Sequence, residues 1–452
     1  METLSRFFSE FASLMWGPWL LALLLGTGIL LTFRLKGIQF RLLGYALRLA
    51  FTKERQGPGD ISHLGALMTA LAATVGVGNI AGVGTAVALG GPGAVFWMWV
   101  TGLVGMATKY SEGFLAIKHR RLNDRGEISG GPMYYLEEGL ARRWLGVSFA
   151  LFGAVAAFGT GNMIQANTTA HALTRVLGTN EVIVGLVLAF LTALVVIGGI
   201  KRIAEVATLL VPFMVLVYFI GAFMVIFKNF SHLFVGLRQI VEQAFTGTAA
   251  TGGFVGASLA QTVRYGVARG LLSNESGLGS APIAAAAAKT NQPAKQALVS
   301  MTGTFLDTLV VCSITALVLA STEAWVSGET GVALTLKAFS AGLPGHWGNA
   351  IVTLGVATFA FSTILAWEYY GEKCFEYLAG VKYIFYYRLT WVLFVFIGAV
   401  VKLELVWNIS DAMNALMAVP NLLGLALLSK VLSRETKQYE KGVRDGTINK
   451  FD

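Results

Sequence analysis

Eleven apolar segments, at about 14–33, 62–89, 92–117, 147–173, 181–199, 203–227, 254–288, 297–321, 347–371, 384–403 and 406–432, divide this 452-residue chain. A hydrocarbon layer is crossed by roughly 20 apolar residues, and a backbone inside it must satisfy its own hydrogen bonds, which helices do. Only 13% of the residues are charged and 55% are hydrophobic, where a soluble domain carries roughly 25% charge. The chain therefore reads as an all-α polytopic membrane protein, best counted in spans 1 to 11.

The basic residues give the spans a direction. The loops after spans 1, 3, 5, 7 and 9, together with the C-terminal tail, hold 25 Lys and Arg, among them Lys53, Arg55, Arg120, Arg388 and Lys450. The opposite loops hold six (Arg6, Arg175, Lys228, Arg238, Lys337 and Lys402), and Lys109, Arg264 and Arg269 fall in or beside spans. Cytoplasmic loops are enriched in Lys and Arg, so the N-terminus is expected outside and the C-terminus inside, in a multi-pass cell-membrane protein. This also accounts for the net charge of +9 without nucleic acid. Two cysteines and five scattered histidines suggest neither a disulfide framework nor a metal cluster. The first apolar run, followed by basic residues, reads as a retained helix rather than a cleaved signal.

Two spans are interrupted. In LGALMTALAATVGVGNIAGVGTAVAL (64–89), Gly76, Gly78, Gly82 and Gly84 break the middle beside the polar Asn79. Such glycines can serve close helix packing, but backbone freed from helix at this depth survives only where protein or a wet cavity satisfies it. A dinucleotide loop is excluded, because no strand precedes the glycines and no acidic residue follows at the required distance. The second interrupted span, 254–288, has 35 residues and carries Arg264, Arg269, Asn274 and Glu275 among glycines. By the charge count it runs the opposite way, and each broken span is followed by four more. Two inverted five-span halves, each opened by a broken helix, are the pattern of a secondary transporter with its site at the midplane.

The motifs GVGNIAGVGTAVALGGPGAVFWMW (76–99), MATKYSE (106–112), GGPMYYLEEGL (130–140), GNMIQAN (161–167), RGLLSNESGLGSAP (269–282) and FLDTLVVC (305–312), in this order, resemble the alanine or glycine:cation symporter family. The resemblance implies a leucine-transporter-type fold: a five-plus-five inverted repeat with one additional N-terminal helix, about eleven transmembrane helices in all. It implies symport of small neutral amino acids such as alanine and glycine with sodium, occasionally with protons. The chain then divides into an extra helix and basic loop (1–61), a first repeat (62–227), a second repeat (250–432) and a tail (433–452). The expected partners are a small amino acid, sodium and the lipid bilayer. No cofactor beyond the coupling ion and no nucleic acid is expected.

A zwitterion at the midplane needs donors for its carboxylate. Amides at the break can supply them without a fixed charge, which makes Thr74, Gly76, Val77 and Gly78 substrate-binding candidates. By the resemblance, Gln165 also touches substrate, and one sodium site is formed by carbonyls of Ala72, Val75 and Phe359 with hydroxyls of Ser362 and Thr363. Span 9 independently offers Thr358, Ser362 and Thr363 within about one and a half turns, although such hydroxyls also bond their own backbone. Trp367, four residues from Thr363, reads either as a wall closing a small pocket or as an interfacial anchor. Asp307 is an intramembrane carboxylate, a functional hypothesis by default. It could make a second cation site with Asn79 or pair with Arg264 or Arg269, and Glu275 favours a structural ion pair. Lys109 and Glu112, three apart, read as a local pair, and 130–140 as a turn and short amphipathic helix on the inner surface, with a possible gating role. No nucleophile, metal cluster or acid–base set converges as an enzyme requires, and the inverted broken helices argue against a channel. A proton-coupled symporter is the alternative within transport.

Overall fold

A computed structural model describes residues 2–52, 57–249 and 254–449. Lys53, Arg55 and Lys450 of the basic loops, and residues 250–253 at the start of the second repeat, lie outside the described residues.

All eleven apolar segments are helical. Arg143–Leu177 (span 4), Gly199–Lys228 (6), Pro293–Ser321 (8), Trp347–Ala379 (9), Val381–Val400 (10) and Glu404–Arg444 (11) are each long and apolar enough to cross a membrane. Span 1 is Pro18–Arg34, with a proline at its first position, where the missing N–H costs nothing. It meets the preceding helix at 40°. Span 2 is His63–Thr74 with Val77–Gly90, bent by 61°. Ala94–Lys118 and Glu181–Val196 form spans 3 and 5. Span 7 is Leu259–Asn274 and Ala281–Ala286, separated by six non-helical residues.

Helices absent from the sequence reading are Glu2–Met15, Leu43–Ala50, Phe230–Thr246 and Gly331–Gly342. Each interleaves polar with apolar residues, so none stands out as an apolar run. A two-stranded hairpin, Arg121–Leu122 with Ile128–Ser129, joins spans 3 and 4. Residues 130–140 do form a turn and short helical segments, Pro132–Tyr134 and Tyr135–Gly139, but Pro132 to Leu136 are buried rather than lying on a surface, and the Tyr135 hydroxyl bonds Asn421 of span 11. The charged groups of this stretch are confined to Glu137 and Glu138, which bond Tyr377 and Arg121.

Spans 3 and 7 lie in close contact because small residues face each other. A Cβ on Gly266 would stand 2.3 Å from the Ala94 carbonyl, and one on Gly270 2.2 Å from the Thr101 hydroxyl. Gly84 has the same packing role, 2.3 Å by that measure from the Gly331 carbonyl, whereas Gly82 has open space. The packing explanation therefore holds for one of the four glycines of span 2, and Gly76 and Gly78 belong to the break.

The basic loops gather on one face. Arg120 at the end of span 3 donates to the carbonyls of Ala286 and Ala288 (2.7 and 2.6 Å), Pro58 (2.8 Å) and Thr290 (2.7 Å). The chain entering span 2 pairs with the chain leaving span 7: Asp60 and Ile61 N–H donate to the Ala287 carbonyl, and Lys289 N–H to Ile61. The Asp60 carboxylate accepts from Ile128 N–H at 2.9 Å, and burial, the largest influence, pushes its pKa above the ordinary value. Lys373 of span 9 bonds Glu376 (2.7 Å) and Ser129 (3.2 Å) of the hairpin. On the opposite face a cavity of about 1070 Å³ opens between span 4, helix Gly331–Gly342 and the start of span 9.

Candidate functional site

The helix of span 2 stops at Thr74 because the next residues leave helical geometry: Val75 has φ −75°, ψ 80°, and Gly76 is extended. The freed Gly76 N–H donates to Asn79 Oδ1 at 2.9 Å, so Asn79 caps the break from within. Val77 and Gly78 open the following helical segment, where the first N–H groups have no partner inside the helix. A Cβ on Gly78 would touch Ser273 Cα at 3.7 Å, which sets the two breaks side by side.

Span 9 lies against the other side of the break. Ser362 Oγ donates to the carbonyls of Ala72 (3.0 Å) and Phe359 (2.8 Å). Thr363 Oγ1 lies 3.2 Å from Ala72 O, 3.4 Å from Ala73 O and 3.0 Å from Phe359 O. Four of the five expected sodium ligands thus converge, all oxygens, the donor type a hard cation selects. Val75, the fifth, is buried, and among the described residues its N–H bonds Leu71 O of its own helix. Gly76 adjoins the cluster, since a Cβ there would stand 2.8 Å from Thr363 Oγ1. Thr358 only bonds its own helix, at Leu354 O and Gly355 O, and Thr74 likewise bonds Ala70 O at 3.1 Å.

Asn79 and Asp307 meet. Asn79 Nδ2 donates to Asp307 Oδ1 at 2.7 Å, while Ser273 Oγ (3.0 Å) and Thr308 Oγ1 (2.8 Å) donate to Oδ2. Asp307 sits in a π-helical stretch, Phe305–Cys312, a local widening frequent at functional sites. Pairing of Asp307 with Arg264 or Arg269 does not occur: Arg264 lies over the Tyr265 ring, and Arg269 has Asp411 as its acidic neighbour. Glu275 makes no ion pair among the described residues either. It adopts a left-handed backbone, φ +54°, and accepts from Trp367 Nε1 (3.0 Å) and Ser280 Oγ (2.6 Å).

Trp367 is no interfacial anchor; it is 1% exposed and packs on Gly161, where a Cβ would lie 2.1 Å from its own Cβ. Gln165 follows another π-helical stretch, Ala157–Met163. It donates to Thr160 O at 3.0 Å, and its buried Oε1 has no partner among the described residues. Asn162 and Asn167 tie span 4 to span 10 through the carbonyls of Trp391 and Gly398.

Lys109 and Glu112 do not form the expected local pair through hydrogen bonds. Lys109 Nζ donates to Asn274 O at 2.8 Å, and Glu112 Oε1 accepts from Gly277 N–H and Gly279 N–H (3.1 Å each) and from Asn421 Nδ2 (2.7 Å). The unwound second break exposes backbone groups that compete for both side chains. Gly277 and Gly279 have φ +92° and +86°, which only glycine adopts cheaply. These supports, and Asn414 of span 11 on Thr160 Oγ1 at 2.7 Å, escaped the sequence reading. A Lys and a Glu inside an apolar span were a signal that something polar faced them.

Two broken helices abutting at mid-span, with a hydroxyl–carbonyl cluster beside them and a vestibule on one face, define a secondary transporter of the leucine-transporter type. The solved structure of MhsT in complex with L-phenylalanine has the same fold, with a TM-score of 0.57 at 11% identity over 84% of this chain and 98% of that one. The profile of the sodium:alanine symporter family matches residues 1–452, and the chain belongs to that family. It is therefore a cation-coupled amino-acid transporter and not an enzyme. It is 53% identical to the sodium/alanine symporter AgcS of Methanococcus maripaludis over 95% of this chain and 96% of that protein. It is 48% identical to an uncharacterized transporter of Haemophilus influenzae, over 100% and 98%.

Proposed function

We propose that the protein carries small neutral amino acids, alanine and glycine, into the cell together with sodium by alternating access, its basic face in the cytoplasm. The observation that carries this reading is the oxygen cluster of Ala72, Phe359, Ser362 and Thr363, which touches the break at Gly76. A cation held there fixes the end of the first half-helix, so sodium binding orders the amides of Val77 and Gly78 that receive the substrate carboxylate. The Asn79–Asp307 pair offers a second cation site, its carboxylate already oriented by Ser273 and Thr308.

Small substrates are favoured because the breaks leave little depth. Gly76 meets Thr363, Gly78 meets Ser273, and Trp367 fills the space above Gly161. Gln165, whose buried Oε1 has no partner among the described residues, offers an amide of span 4 to the ammonium group. The vestibule wall includes Thr168 and Val356, each three residues from Gln165 and Phe359, so it descends to within a turn of the site. The basic face is closed by Arg120 and the Ile61–Ala288 pairing. This is the arrangement of an outward-facing carrier.

The test is uptake of radiolabelled alanine and glycine into proteoliposomes under a sodium gradient, repeated with a proton gradient and no sodium. Sodium-driven accumulation is expected. Accumulation under the proton gradient alone would replace sodium by protons, and uptake indifferent to both would remove the symport reading.

A further inference from the structure

We propose that Glu368, in the half of span 9 that faces the basic side, is a reversible proton-binding site that biases the carrier between its closed and open arrangements on that side. Glu368 is 0% exposed, and neither carboxylate oxygen has a hydrogen-bond partner among the described residues. A buried ionised carboxylate without a donor costs far more than one that is paired. The nearest cation is already committed: Arg388 Nε and Nη2 hold Glu372 at 2.6 and 3.1 Å, Nη1 donates to Ile197 O at 3.0 Å, and Glu368 Oε1 is 4.0 Å from Nε.

Two carboxylates one turn apart and one guanidinium leave a single uncompensated negative charge, and one proton is its smallest neutraliser. The other groups nearby do not supply the charge. Lys373 on the same helix is bound to Glu376 and Ser129. Tyr387 of span 10 also has a buried hydroxyl without a partner among the described residues, close against Gly371, and Cys374 is buried beside that ring. On span 6 the Arg202–Glu205 pair is exposed. The packed segments Ala157–Met163 and Ala281–Ala286 contain no ionisable residue.

Glu368 lies about 7.5 Å along the helix from Thr363, at 1.5 Å per residue, and follows Trp367, whose indole holds the second break at Glu275. Opening of the basic face admits water to this region and releases the proton from the Glu368 carboxyl to water. Closure dehydrates the carboxylate, which takes a proton from water. Acid on that side therefore favours the closed arrangement and alkali the open one.

This inference uses the orientation and symport of the proposed function, and the test separates the two. Infrared spectra of the reconstituted wild-type protein near neutral pH are expected to contain a protonated-carboxyl C=O band that Glu368→Gln lacks. Glu372→Gln is expected to lose the same band, because Arg388 then compensates Glu368. With the basic face inside the vesicle, wild-type sodium-driven alanine uptake is expected to rise about threefold or more as luminal pH goes from about 6 to about 8. Glu368→Gln should stay at the slow, acid-side rate. A band unchanged in both variants, or a pH profile that Glu368→Gln leaves intact, overturns the proposal. A band present in the wild type and lost in Glu368→Gln, in a protein that takes up no alanine under any gradient, would sustain the proton site and remove the symport reading.

Discussion

At the scale of single residues, Gly76 does a job that no side chain could share. Its extended backbone is open to any amino acid, so the demand is one of space: a methyl group would press on the Thr363 hydroxyl at 2.8 Å. Gly76→Ala is expected to raise the sodium concentration for half-maximal uptake about tenfold, equivalent to about 1.4 kcal/mol, which a sodium titration of alanine uptake would measure. An unchanged sodium requirement would dissociate Gly76 from the ion. The spacing of Ser362 and Thr363 and the isolation of Asp307 were visible in the sequence. That Asn79 would be the partner of Asp307, 228 residues away, was one of two open choices, and only the fold excludes the arginines. Lys109 and Glu112 show the reverse case, since helical spacing suggested a partnership that the backbone of a distant break outcompetes.

At the scale of elements, the second break is held from outside. Three polar groups on spans 3 and 11, Lys109, Glu112 and Asn421, take up the backbone of 274–279, groups that would otherwise be buried without partners at a cost of about 1–3 kcal/mol each. Glu112→Ala should therefore lower uptake at least tenfold while leaving the protein folded, as checked by transport beside a ligand-free melting curve. A wild-type rate would mean that the break supports itself. Hydropathy located both interruptions, because glycines and charges inside an apolar run are plain to see. It missed Phe230–Thr246 and Gly331–Gly342, whose mixed faces look like loop. The second of these walls the vestibule, so half of the approach to the site was invisible in the sequence.

At the scale of the whole molecule, the many-span helical fold was legible because the bilayer demands long apolar helices. The order of contacts between spans was not, since packing depends on small residues scattered along each helix. A carrier whose site lies between elements should be stabilised by its ligands in a fixed order. Sodium alone is expected to raise the melting temperature in detergent, alanine with sodium to raise it further, and alanine alone to leave it unchanged. At 100 times Kd a ligand contributes about 2.7 kcal/mol. Stabilisation by alanine without sodium would contradict the coupling order.

The parallel pairing of Ile61 with Ala288, locked by the four carbonyl bonds of Arg120, has a mechanical consequence. The basic-face ends of the two broken helices, one from each repeat, are riveted together. Under the proposed mechanism, an ion that stiffens span 2 is thereby felt in span 7 without travelling there, and neither half-helix swings alone. In the proposed symport such a rivet would make the two halves move together, because a half-opened gate would let sodium through without its passenger.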